Sequence, residues 1–250
     1  AFQLFDSQNN RGKSLEPHDL LKAYHLRKQD SEDEKIVEKW EQFVEDKELS
    51  LKELFDKHLF RMRRWSRGET GLTNKRYGSY LRFTEDFIDD FKGVDLNQNF
   101  PYLELYRHIE NLPMSITMPI IDGSKFFEYI ESSHETIKNH KDFLNERLGI
   151  SNELEEEEQN LAYPEGMLNI YNSSKGRYLK CHNLFLNICS LFADRFGKEE
   201  LSKEVVETLF IWSYYPRVKS KAIYDATVGN YVAGGRFRQK EAQKLFQLLS

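Results

Sequence analysis

Apolar residues recur at three- and four-residue intervals along most of this chain, a period that fits an α-helix and not a strand, whose side chains alternate every second residue. Ile36, Val37, Trp40, Phe43 and Val44 share one helical face, and Leu51, Leu54, Phe55, His58, Leu59, Met62 and Trp65 share a second, longer one. Residues 46–50 between them are short and polar, with Ser50 placed as an N-cap and Glu53 completing a capping box, so two antiparallel neighbours are expected. A third long helix is predicted after Asp122-Gly123-Ser124, carrying Phe127, Ile130, His134, Ile137, Lys141, Leu144 and Leu148 and ending at Gly149. Cys181, Phe185, Ile188, Cys189, Phe192 and Phe196, with Leu184, Leu186 and Leu191 beside them, make a stripe so broad that this helix should be buried on most sides and form the core of the second half. Val205, Val206, Leu209, Phe210 and Trp212 predict another helix, and Ala242, Leu245, Phe246 and Leu249 a terminal one. The expected fold class is all-α, mainly helical, with a short edge strand at residues 2–5.

At 250 residues the chain can hold one sizeable core or two small ones. The clearest break is the acidic run through Glu155, Glu156, Glu157 and Glu158, followed by Pro164 and Gly166, which reads as an exposed connection. A formal net charge of -5 argues against wholesale attraction to nucleic acid or membrane and leaves room for local basic patches. No apolar run approaches the roughly 18–20 residues that cross a bilayer. The start, Ala1-Phe2-Gln3-Leu4-Phe5, lacks the parts of a signal peptide, so the expected compartment is the cytoplasm and no membrane partner is expected. The two cysteines, Cys181 and Cys189, lie on one predicted helix about 12 Å apart, beyond disulfide reach. Without a spaced Cys/His set, no metal site is expected.

One segment reads differently from the rest. Residues 2–5 resemble a strand, Asn9-Asn10-Arg11-Gly12-Lys13 a turn, and Pro17 occupies the first position of a helix running over 17–28. A strand, a loop and a helix start together offer backbone N–H groups, a positive helix end and two cations, Arg11 and Lys13, which suit a phosphate. Asn and Gly are equally what a tight turn requires, and both readings stand on the residues alone. Asp19 falls in the first turn, where a carboxylate suits the helix dipole and can cap free amides.

The order from Phe5 through Asn9, Arg11, Gly12, Leu15, Asp19, Leu20 and Leu21 to Lys22 resembles the second signature of the GmrSD-type modification-dependent restriction proteins, F-x-x-x-N-x-R-G-x-x-L-x-x-x-D-L-L-K. More loosely, it is similar to the phosphate-binding box of ParB-like proteins, with Arg11 one residue closer to its Asn. The resemblance covers about the first tenth of the chain. It implies a ParB/sulfiredoxin-like nucleotide-sensing half that gates an HNH-type nuclease in the same or a partner chain, with DNA as the target and a nucleoside triphosphate and divalent cation as cofactors. Asn9, Arg11, Gly12 and Lys13 are then phosphate-binding residues, and Leu15 and Asp19 structural ones. The first signature of that family, D-G-Q-Q-R, is absent, so no complete catalytic centre is expected here. The lack of an initiating Met agrees with a piece of a larger protein. In this frame residues 1–15 are the remnant of the nucleotide-binding domain, 16–150 a helical subdomain, 151–166 an acidic linker and 167–250 a second helical subdomain.

Other chemistries find little support. His108 to Pro113 only distantly resembles the start of an HNH centre and reads equally as a helix end, while His58 and His134 sit on apolar stripes. Arg61, Arg63, Arg64, Arg67, Lys75, Arg76 and Arg82 crowd together with Trp65, Tyr77 and Tyr80, and Glu69 is the single acid among them. Such a mixture can neutralise phosphates and stack on bases, or it can be a solvated face paired with the acidic run. A second, dispersed cluster holds Arg217, Lys219, Lys221, Arg236, Arg238 and Lys240 with four tyrosines. Two functions follow: a helical regulatory part of a nucleotide-dependent restriction protein, or a DNA- or protein-binding module without nucleotide chemistry.

Overall fold

A computed structural model describes residues 16–28, 34–70, 84–94, 103–109, 114–148, 163–173 and 176–233. The edge strand expected at residues 2–5, the helix end at Gly149, the acidic run and the terminal helix over 242–249 lie outside them. The described residues are helical, with no strand and a single isolated bridge between Val94 and Ile121. The all-α fold class is thus the observed one. Contacts gather the chain into two units that interleave in sequence, residues 1–52, 79–112 and 119–130 in the first and residues 53–78, 113–118 and 131–250 in the second.

In the first unit, α1 (Pro17–Leu26) begins with Pro17, whose missing N–H would have had no partner in a first turn. The Asp19 carboxylate accepts from the Glu16 backbone N–H at 3.0 Å and so satisfies the entry to the helix. α2 (Glu34–Glu45) buries only Trp40, whose ring lies 6.0 Å from Phe126 and 5.6 Å from Phe127. Three short helices follow in this part of the sequence: α3 (Leu51–Glu53), which opens a longer helical run, α5 (Thr84–Phe91) and α6 (Glu104–Arg107). Gly123 has a φ of 77°, the left-handed conformation that lets the chain turn into α7 (Ser124–Arg147). That turn is stapled by His25. Its Nδ1 accepts from the Gly123 N–H at 3.2 Å, its Nε2–H donates to the Phe91 carbonyl at 3.0 Å, and its ring stacks on Phe126 at 3.7 Å.

The second unit is organised around α9 (Leu179–Phe196), whose buried apolar side chains, Leu184, Phe185 and Ile188 among them, share one cluster with those of α8 (Glu165–Asn172), α10 (Lys203–Lys219) and α11 (Asp225–Val232). Burying each large side chain contributes roughly 1.5–3 kcal/mol, so this cluster dominates the stability of the unit. Cys181 and Cys189 lie inside it as free thiols. α9 stops at Gly197, whose φ of 96° no L side chain adopts easily. The run that α3 opens continues through Leu54–Leu59 in π spacing, where the Phe60 N–H reaches back five residues to the Phe55 carbonyl, and ends as α4 (Phe60–Ser66).

α10 runs through Pro216 although the apolar pattern marked it only as far as Trp212. A proline removes the amide that would serve the carbonyl four residues earlier, which here belongs to Trp212. The Tyr231 hydroxyl donates to that carbonyl at 3.0 Å, and the two rings pack 4.5 Å apart. We therefore expect Tyr231→Phe to lower stability by about 1–2 kcal/mol in chemical unfolding. In a Pro216→Ala background the same change should cost less, because the restored amide takes the carbonyl.

Candidate functional site

The residues that the sequence marks for phosphate, Asn9, Arg11, Gly12 and Lys13, lie outside the described part, as does Leu15 of the two structural positions, while Asp19 caps the start of α1. The Glu16 side chain pairs with Lys52 at 3.2 Å, and Lys22 pairs with Glu41. Two carboxylates therefore already occupy the positive end of α1.

Among the basic residues, Arg61 and Arg63 turn inward. Arg61 is 6 % exposed, donates through Nε to the Asp56 carbonyl at 2.7 Å and meets Asp225 at 2.9 Å. Lys180 closes a triad with Asp225 at 2.8 Å. Burial works to raise the Asp225 carboxyl, but the combined pull of Arg61 and Lys180 outweighs it and holds the group below the ordinary Asp value. Arg63 is 7 % exposed and donates to the Ile116 and Met118 carbonyls at 3.2 and 2.8 Å. It thereby fixes the 114–118 segment, which Asp194 grips from the Ser115 hydroxyl (2.7 Å) and the Ile116 N–H (3.0 Å).

Arg64 and Arg67 remain nearer the surface. Arg64 lies over the Phe60 ring and 3.2 Å from Glu69, while Arg67 holds the same carboxylate in a two-pronged contact at 3.1 and 3.3 Å. The Arg67 hydrogen bond is the main reason the Glu69 carboxyl sits below its ordinary range. The acid that looked isolated in the sequence thus partners two of the cations. Lys75 and Arg76 lie outside the described residues, as do Arg236, Arg238 and Lys240. In the second cluster, Arg217 braces the Ser220 and Lys221 carbonyls and Lys219 lies over Tyr215.

The most concentrated polar chemistry of the second unit was not marked by any motif. His58 Nδ1–H donates to Asn187 Oδ1 at 2.6 Å, and Asn187 Nδ2–H donates to the Lys57 carbonyl at 2.7 Å. This assignment gives each amide atom of Asn187 the partner that it can use. Burial lowers the His58 imidazole to about 4 despite the Asn187 bond, and burial does the same to His25. Both rings are neutral near pH 7, and their nitrogens hold the fold together. A lone Asn inside the apolar stretch 184–193 was the one sequence signal available, and its partner 129 residues away gave none. Among the described residues no set of three or more His, Cys, Asp or Glu side chains gathers as a metal site, and no helix is long and apolar enough to cross a membrane.

These features define an all-α protein whose second unit is built on a buried helix with internal polar clasps. The chain belongs to a family of unknown function, DUF7834, whose model matches residues 32–250. No curated protein matches it. No solved structure does either.

Two outcomes follow from the clasps. Arg61→Ala should destabilise by about 3–5 kcal/mol, since Asp225 is left buried with half of its compensation, whereas Arg67→Ala should fall within about 0.5 kcal/mol of wild type. Both are read by denaturant unfolding. The second outcome concerns pH. His25 and His58 have folded values near 4 against 6.5 when unfolded, so the unfolded chain binds their protons first. Stability should be full above about pH 6.5 and fall as pH drops towards 4, by on the order of 2–3 kcal/mol for each ring. His58→Gln should flatten that acid-side slope by close to one proton; an unchanged slope would contradict the assignment.

Proposed function

We propose that this chain is the helical, regulatory part of a nucleotide-dependent restriction protein of the GmrSD type, and that Asn9, Arg11, Gly12 and Lys13 complete a phosphate site whose catalytic part lies outside these residues. The observation that carries the reading is the match of the ordered series Phe5, Asn9, Arg11, Gly12, Leu15, Asp19, Leu20, Leu21 and Lys22 to that family's second signature. The described end of that series, Asp19 to Lys22, lies on a helix whose start Asp19 caps.

The resemblance ends by Lys22, and the family model matches from residue 32 onward. On this reading the ligand is a nucleoside triphosphate with its divalent cation, the loop contributes charge and backbone amides, and the helical part relays occupancy to a nuclease domain in the same or a partner chain. DNA contact from the first basic cluster falls to Arg64, Arg67, Lys75 and Arg76, because Arg61 and Arg63 are engaged inside the second unit. A cytoplasmic location belongs to the same proposal.

The test is nucleotide binding and hydrolysis by the full-length native protein, wild type against Arg11→Ala, with and without DNA. Loss of a charge-assisted phosphate contact should weaken nucleotide binding by at least about tenfold with folding intact. Unchanged binding and turnover would leave the loop a structural turn and favour a binding module without nucleotide chemistry.

A further inference from the structure

Asn187 is the amide in an otherwise apolar part of α9, and it is wholly buried at 0 % exposure. Burying an amide is costly unless its donors and acceptor are matched, and the His58 ring and the Lys57 carbonyl that Asn187 bonds both belong to the π-spaced turn Leu54–Leu59. A π turn takes up one residue more than an α turn. The two spacings are therefore alternative registers of one sequence, differing by about 100° of rotation between the residues before and after the turn.

Side chains donate to two carbonyls of this turn: Arg61 Nε to Asp56 and Asn187 Nδ2 to Lys57, each at 2.7 Å. The C-terminal side is anchored, by Arg61 on Asp225 and by Arg63 on the Ile116 and Met118 carbonyls. Only the three residues of α3, with Leu51 buried among them, precede the turn within its helix. A single buried polar residue that sets helix register at some cost in stability is a known device of coiled coils.

We infer that the Asn187–His58 pair is a register lock: it holds residues 54–59 in π spacing, and without it the segment closes to α spacing, the Lys57 carbonyl then taking the Arg61 amide as its donor. The lock trades stability for a unique register. Its removal as a pair leaves no orphaned polar side chain.

The experiment is a crystal structure and thermal melt of the full chain carrying His58→Leu and Asn187→Leu together. A folded protein is expected, with a Tm equal to or above wild type and the Phe60 amide bonded to the Asp56 carbonyl. His58→Leu alone strands the Asn187 oxygen and should lower Tm by about 3–8 °C. Deletion of Lys57 takes out the extra residue without enlarging any core side chain, and a folded α-helical segment is expected there too. A double variant that keeps the Phe60–Phe55 bond or melts below wild type overturns the lock, as does a Lys57 deletion that fails to fold.

Discussion

The middle of α9, residues 184–191, is buried on every side and has no solvent face for polar groups, and this constraint shapes the second unit. Its side chains bring the apolar cluster of α8, α10 and α11 together, and its one buried amide must find partners inside that cluster. Asn187 finds them on the π turn, so the spacing of residues 54–59 and the position of His58 are set from 129 residues away. The same logic governs α10. There a proline opens a gap in the helix, and the Tyr231 hydroxyl from α11 fills it.

Charge in this protein is managed in pairs. Asp225 stays ionised under burial because Arg61 and Lys180 flank it, and Asp194 stays useful because it accepts from two donors of the 114–118 segment. The histidines work the opposite way. Burial keeps His25 and His58 neutral, and in that state one nitrogen of His25 can donate while the other accepts. A positive His25 could no longer accept the Gly123 amide. The polar residues that look most like chemistry are thus, by their contacts, holding elements in place.

Helices were legible because their apolar period survives in any surroundings. The stripes through Trp40, Ile130 and Phe185 fall on α2, α7 and α9, and Gly123 marks the turn before α7 as its φ requires. What could not be read depends on partners distant in sequence. The three- and four-residue stripe from Leu51 to Trp65 holds no sign of the π turn, because its intervals are those of an ordinary α-helix and Asn187, which bonds the turn, is far along the chain. Arg61 and Arg63 looked like surface cations because Asp225 and the Ile116 carbonyl are far along the chain.

On the proposed function, residues 9–13 meet the ligand, and the polar clasps of the helical units hold shape. This division is tested most directly by photocrosslinking an azido-nucleoside triphosphate to the full-length native protein and mapping the labelled peptide. The account predicts label on the peptide containing Arg11 and Lys13, competed away by unmodified nucleotide. Competable label on the peptides around Arg61, Lys180 or Asp225, with none on the loop, would contradict it.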